Sequence, residues 1–219
     1  MTKNRGVYIC LEGLDGCGKS STYTLLLERL KKTEVQFSTC CPTRAPECKT
    51  FLENIFSSWY FLRNSSLARS LVYAVRSSYA SDHTDWTKAL IVGDRSLITS
   101  YVTRWGKILG SIAATVKLVD LLEPKIPAPD VVIYLDAPHD LLRERLLMRD
   151  RPMDIDESAI RSLEMRVAYE QILSRATFIE RLKNTRFERL AITREMSPDD
   201  VANYSGPCFQ DSSLRCALS

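Results

Sequence analysis

Five short apolar runs punctuate this chain, with helical patterns between them. The runs are Val7 to Gly13, Val35 to Cys40, Ala89 to Asp94, Val131 to Asp136 and Phe187 to Thr193. Most are apolar at consecutive positions, the pattern of strands buried on both faces. Between the first two, Leu25, Leu26, Leu27 and Leu30 make a helical stripe over 19–32, with basic residues gathered at its end. Helical patterns follow over 49–59 and 65–79. From Leu97 a single long stretch continues through Tyr101, Ile108, Ile112, Val116 and Val119. Pro124, Pro127 and Pro129 mark a loop, and Pro138 suits the first turn of a helix. Asp154 and Glu157 form a capping-box pattern for a helix reaching about residue 182, and Ser197-Pro198 starts a last short one. Strands alternating with helices predict an α/β protein with a five-stranded parallel sheet and helices on both faces. The pattern gives one domain over 1–204 and a loosely ordered tail over 205–219.

Composition narrows this picture mainly by exclusion. The chain has 219 residues, 45% hydrophobic and 26% charged, with a net charge of +3. That excess is too small to argue for a nucleic-acid partner. No run of 18 apolar residues predicts a membrane span, and the N-terminal apolar run is too short for a signal peptide. Seven cysteines and two histidines occur, with no Cys-x-x-Cys pair. This argues against a zinc site or a disulfide framework and favours a reducing, cytoplasmic setting.

The chemistry starts where the first run ends. Residues 13–21 read Gly-Leu-Asp-Gly-Cys-Gly-Lys-Ser-Ser, three of the chain's eight glycines within six positions. Strand, glycine-rich turn and helix come in the order a phosphate-binding loop needs. Backbone N–H groups of Gly13, Leu14, Asp15, Gly16, Cys17 and Gly18 turn inward there, and Ser20 and Ser21 open the helix. Lys19 is placed to reach the β- and γ-phosphates of ATP, and Ser20 to bind Mg²⁺. Asp15 is unusual, because a carboxylate repels what such a loop attracts. It reads either as a turn-former beside Gly16 or as a functional group.

Two further segments fall where such a fold gathers ligands. Asp94-Arg95 ends the third strand, with Asp94 a candidate for the Mg²⁺ water shell and Arg95 for bridging two phosphates. The bland reading is a surface ion pair. In 143–152, Arg145 and Arg149 share a helix face and Arg151 lies just beyond. Arginines on a movable turn stabilise charge in phosphoryl transfer, although this segment alone also reads as a solvated basic face.

Together these residues resemble the thymidylate kinase family of nucleoside monophosphate kinases, over nearly the whole chain to about Val201. Leu11 to Ser21 resembles the family's P-loop, acid included, and Cys41 to Glu47 its Arg- and Pro-containing loop. Ala74-Val75-Arg76 stands where a family arginine meets the acceptor base. The segment Gly93 to Tyr101 resembles the Asp-Arg-Tyr motif, with Ser96 in place of tyrosine. Val131 to Arg149 resembles the strand and helix before the lid, Met165 to Leu173 a segment of the next helix, and Ser197 to Val201 the start of the C-terminal helix.

The resemblance implies a P-loop NTPase fold with a short Arg-rich lid over about 149–157. It implies that Lys19, Arg95, Arg149 and Arg151 stabilise the transferring group, with Arg145 also on the ATP side. Ser20 and Asp94 would hold Mg²⁺, and Asp15 would lie near the acceptor sugar hydroxyl. Arg44, Val72, Arg76, Ser100, Thr103 and Arg104 fall on the acceptor side. Val72 stands where the family has phenylalanine, and Thr103-Arg104 where it has Tyr-Gln. The implied activity is ATP-dependent phosphorylation of dTMP, in a homodimer whose interface could use 97–122. The alternatives are a kinase for another pyrimidine nucleotide or a deoxynucleoside, and a nucleotide-binding protein without turnover.

Overall fold

The computed structural model describes residues 5–44, 54, 58, 59, 65–104, 111–150 and 157–210. Its sheet has five strands: β1 (Val7–Gly13), β2 (Phe37–Cys40), β3 (Leu90–Asp94), β4 (Val131–Asp136) and β5 (Arg186–Ala191). All pairings are parallel, in the order β2-β3-β1-β4-β5. The three inner strands are almost wholly buried, as their unbroken apolar runs require. The edge strand β5 is mostly solvent-facing and ion-paired: Arg186 bonds Glu188, and Arg189 reaches Asp136 and Glu170. Charges along an edge discourage further strand pairing.

Seven helices are described: α1 (Lys19–Leu30), α2 (Ser66–His83), α3 (Leu97–Arg104), α4 (Ile112–Leu122), α5 (His139–Leu147), α6 (Ala159–Ser174) and α7 (Pro198–Gln210). Helix α1 packs along α7, while α3 packs against α2, α4 and α6. From β1 the chain goes to one side for β2 and β3 and to the other for β4 and β5. A crevice at the carboxyl ends beside β1 follows from that reversal.

Four expectations from the hydrophobic pattern need correction. The long stretch from 97 is two helices: Ser111, in extended backbone, caps a new one by accepting from the Ala114 N–H at 3.1 Å. Among its described residues Leu97, Ile98, Tyr101, Val102 and Val119 are fully buried in this chain's own core, while Leu121 is exposed. The helix expected from Asp154 begins at Ala159, capped by Ser158 accepting from Arg161 N–H. It ends at Ser174, after which Ala176–Phe178 form one short 3-10 turn, Ile179 is extended, and a separate turn closes with the Leu182 N–H donating to the Ile179 carbonyl. Ala176, Ile179 and Leu182 stay buried at a spacing of three, which imitates helical periodicity. Helix α7 continues to Gln210, through the Gly-Pro pair assigned to a loose tail. Most of the helix expected over 49–59 and most of the expected lid fall outside the described residues.

Candidate active site

The loop after β1 is shaped by left-handed glycines. Gly16 has φ of +92°, and a Cβ there would lie 2.9 Å from the Leu142 carbonyl oxygen. Gly18, φ +99°, opens α1 without a side-chain cap, and the first turn of α1 holds no acidic residue. Helices α2, α4 and α6 are all capped by serines. The start of α1 thus keeps N–H groups and the positive end of its dipole for an outside anion. Ser20 and Ser21 are exposed at its mouth, and Arg145 lies 3.8 Å from where a Gly18 Cβ would stand.

Lys19 is only 5% exposed and lies within the loop. Its Nζ donates to the Gly13 carbonyl at 2.7 Å and the Leu14 carbonyl at 2.8 Å, with the Asp15 carboxylate 3.8 Å away. The Asp15 carboxylate also pairs with Arg95, which comes from the end of β3. Adjacent strands explain the meeting, since Leu11 of β1 is in register with Asp94 of β3. One acid therefore holds both principal cations. Burial works against the Arg95 charge, but Asp15, with smaller contributions from Tyr169, Glu12 and Asp94, outweighs it and raises the guanidinium's pKa.

On the other side of Asp94, Arg44 donates to its carboxylate at 3.2 Å and lies 6.0 Å from the Tyr23 ring centroid. Arg76 donates to the Thr43 carbonyl at 3.2 Å and lies over the ring of Tyr73. Val72, half-buried, is next to Tyr73 on α2. Cys41, within hydrogen-bond reach of the Tyr23 hydroxyl, has its thiol pKa raised by burial.

Ser100, Thr103 and Arg104 make their contacts inside the protein. Ser100 Oγ donates to Glu123, and Thr103 Oγ1 to the Thr99 carbonyl. Arg104 pairs with Glu123, their side chains 2% and 0% exposed, and donates to the Ser70 carbonyl at 2.8 Å. Arg149, just after α5, pairs with Glu157 at 2.8 Å. Arg151 lies outside the described residues.

The donor set fits Mg²⁺. The Ser20 hydroxyl and the Asp94 carboxylate are hard oxygens, and a site with few protein ligands leaves coordination positions for phosphates and water. The bare, left-handed start of α1 fits a polyphosphate chain.

Sequence reasoning missed a buried hub beneath the loop. Glu12 is 0% exposed. Its carboxylate accepts from Ser96 N–H, Ser96 Oγ, Thr99 Oγ1 and Tyr169 OH, each at 2.8 Å. The signal was present: an acid inside an otherwise apolar strand cannot be buried without partners.

A phosphate-binding loop and an arginine from the neighbouring strand, meeting on one acid, define a P-loop kinase acting on nucleoside monophosphates. The family model for thymidylate kinase matches residues 11–184, and the chain belongs to the thymidylate kinase family. It is 26% identical over 145 residues to the thymidylate kinase of Plasmodium falciparum, covering 65% of this chain and 67% of that one. It is 29% identical over 154 residues to a probable thymidylate kinase of Natronomonas pharaonis, covering 63% and 70%. A solved thymidylate kinase from Candida albicans matches with a TM-score of 0.64 at 17% identity, over 96% of this chain and 93% of that one. At that identity the likeness speaks for the fold. Among the described residues no helix is long and apolar enough to cross a membrane.

Proposed function

We propose that this protein transfers the γ-phosphoryl group of ATP to dTMP, giving dTDP and ADP. The observation that carries the reading is Asp15 holding Lys19 and Arg95 together at the uncapped start of α1. When phosphates arrive, Lys19 exchanges its loop carbonyls for β- and γ-oxygens, and Arg95 bridges donor and acceptor phosphates. An acceptor phosphate oxygen attacks the γ-phosphorus, and the bond to the β-phosphate bridging oxygen breaks. The protein supplies position and charge and forms no covalent intermediate. Ser20 and Asp94 would hold Mg²⁺, which would neutralise phosphate charge when bound. Asp15 faces the acceptor sugar, Arg44 and Arg76 face the acceptor nucleotide, and Arg145, Arg149 and Arg151 serve the ATP side. The described cysteines 10, 17, 40 and 41 are free thiols, which supports a reducing, cytoplasmic setting.

ADP release with ATP and each common nucleoside monophosphate tests the reading. Turnover with dTMP supports it, and turnover with none of them overturns it. A second reading, a broader pyrimidine acceptor range, is favoured by Val72 and Thr103. Valine gives no flat face against a base, and stacking is worth roughly 0.5–1.5 kcal/mol beyond area burial. We expect dUMP to be accepted beside dTMP. Val72→Phe should raise the ratio of kcat/KM for dTMP over dUMP by roughly twofold to tenfold. A wild-type enzyme strictly selective for dTMP, with no gain in the variant, would show that Val72 does not meet the base.

The family resemblance implies a homodimer, and the surface that supports one is on α2. Leu67, Leu71, Val75 and Tyr79, four residues apart, form an exposed apolar stripe along that helix. A second copy of this chain would cover it. Light scattering should give twice the chain mass, and Leu71→Glu should shift the protein toward monomer. A monomeric wild type would sink the proposal.

A further inference from the structure

We propose that Glu12 is a positioning residue for phosphoryl transfer, its buried carboxylate holding Ser96 so that Arg95 keeps a left-handed backbone and aims its guanidinium at the phosphate loop. The proposal builds on the kinase reading above. Arg95 has φ of +69° and is the only described non-glycine residue with positive φ. Such a conformation costs a side-chain-bearing residue free energy and lasts only where its surroundings over-determine it. Both peptides flanking Arg95 are tied down. Its own N–H donates to the Leu11 carbonyl at 3.0 Å, and the following N–H, of Ser96, donates to Glu12 Oε1 at 2.8 Å. Leu11 and Glu12 are successive residues of β1, so one strand grips both sides of the turn. Ser96 Oγ adds a second bond to the same oxygen, while Thr99 and Tyr169 fix the other.

The choice of an acid is informative. Three hydroxyls and an amide satisfy Glu12, and among the described residues no lysine or arginine forms an ion pair with it. A buried carboxylate is costly, and a neutral hub would serve packing alone at less cost. The negative charge acts where Arg95 lies, at the end of the turn that Glu12 holds. It also adds to the stabilisation of the charged guanidinium.

The test is a pair of double-variant cycles in the full chain. With ATP and dTMP, Glu12→Gln should lower kcat by about thirtyfold and leave the KM for ATP within about twofold. In the Arg95→Ala chain the same substitution should cost less than about twofold, since a residue acting through Arg95 has nothing left to position. Ser96→Ala removes one donor and keeps the N–H bond. It should lose about threefold, and it carries the same cycle if Glu12→Gln fails to fold. Melting gives a readout without turnover. Arg95→Gly should melt a few degrees above Arg95→Ala, because glycine accepts a left-handed backbone. That gap should close in the Glu12→Gln chain. Additive losses in kcat, or a gap unchanged by Glu12→Gln, would overturn the proposal. A wild type that turns over no monophosphate sinks the kinase reading instead and leaves the melting gap to decide this one.

Discussion

Replacing Lys19 by alanine is expected to lower kcat by on the order of a thousandfold, the scale of losing one preorganised charge-stabilising donor. The ammonium group lies within the phosphate-binding loop. It is buried, bonded to the Gly13 and Leu14 carbonyls, and close to Asp15. In the proposed reaction phosphate oxygens would displace those neutral carbonyls, since anionic oxygens outcompete them for a cation. The fold should survive. Lys19 lies outside the apolar core. We expect a melting temperature only a few degrees lower and an unchanged far-ultraviolet dichroism spectrum. Near-normal kcat with any acceptor would remove the main support for phosphoryl transfer at this loop.

The largest stability effect should come from Glu123→Ala. Arg104 and Glu123 are almost wholly shielded from water, and Arg104 ties α3 to α2 through the Ser70 carbonyl. Removing the acid strands a buried guanidinium, which costs about 3–5 kcal/mol. For a domain of this size that is a fall in melting temperature on the order of 10 °C. Removing both charges together, in Arg104→Met with Glu123→Leu, should recover most of the loss, because the desolvation penalty goes with them. The paired variant also tests the acceptor role implied for Arg104. If melting recovers and the KM for dTMP stays within about threefold of wild type, Arg104 acts as a buried strut. A tenfold or greater rise would mean that it touches the acceptor. Unchanged melting in Glu123→Ala would contradict the buried pairing itself.

The inner sheet was legible because β1, β3 and β4 are buried on both faces, and such strands have little choice but to be apolar. The loop was legible for a related reason: Gly13, Gly16 and Gly18 take positive φ that side chains resist, and a lysine followed by hydroxyls suits the proposed phosphate ligand. Other features could not be read from spacing alone. Ala176, Ile179 and Leu182 keep a helix-like rhythm across a short 3-10 turn and an extended Ile179, since burial every three residues does not require a continuous helix. The break between α3 and α4 depends on Ser111 taking an extended conformation as a cap, and a lone serine in an apolar stretch announces that only weakly. The pairing of Arg95 with Asp15 and the burial of Arg104 with Glu123 depend on which strands and helices lie side by side. The acid at position 12 sits inside an apolar run, and its three partner residues come from segments 84 to 157 residues away.

The strand order divides labour in a way that bears on how this enzyme can change. The groups proposed for the chemistry hang mainly from β1 and β3, in the rigid middle of the sheet, where a misplaced atom disturbs the core. Several of those proposed to meet the acceptor, Arg44, Val72 and Arg76, follow the edge strand β2 or ride on α2, whose outer residues face solvent. A substitution there, such as valine at position 72, leaves Lys19, Asp15 and Arg95 where they are. Selection can therefore retune which nucleotide is accepted in single small steps, each leaving a working catalyst behind it.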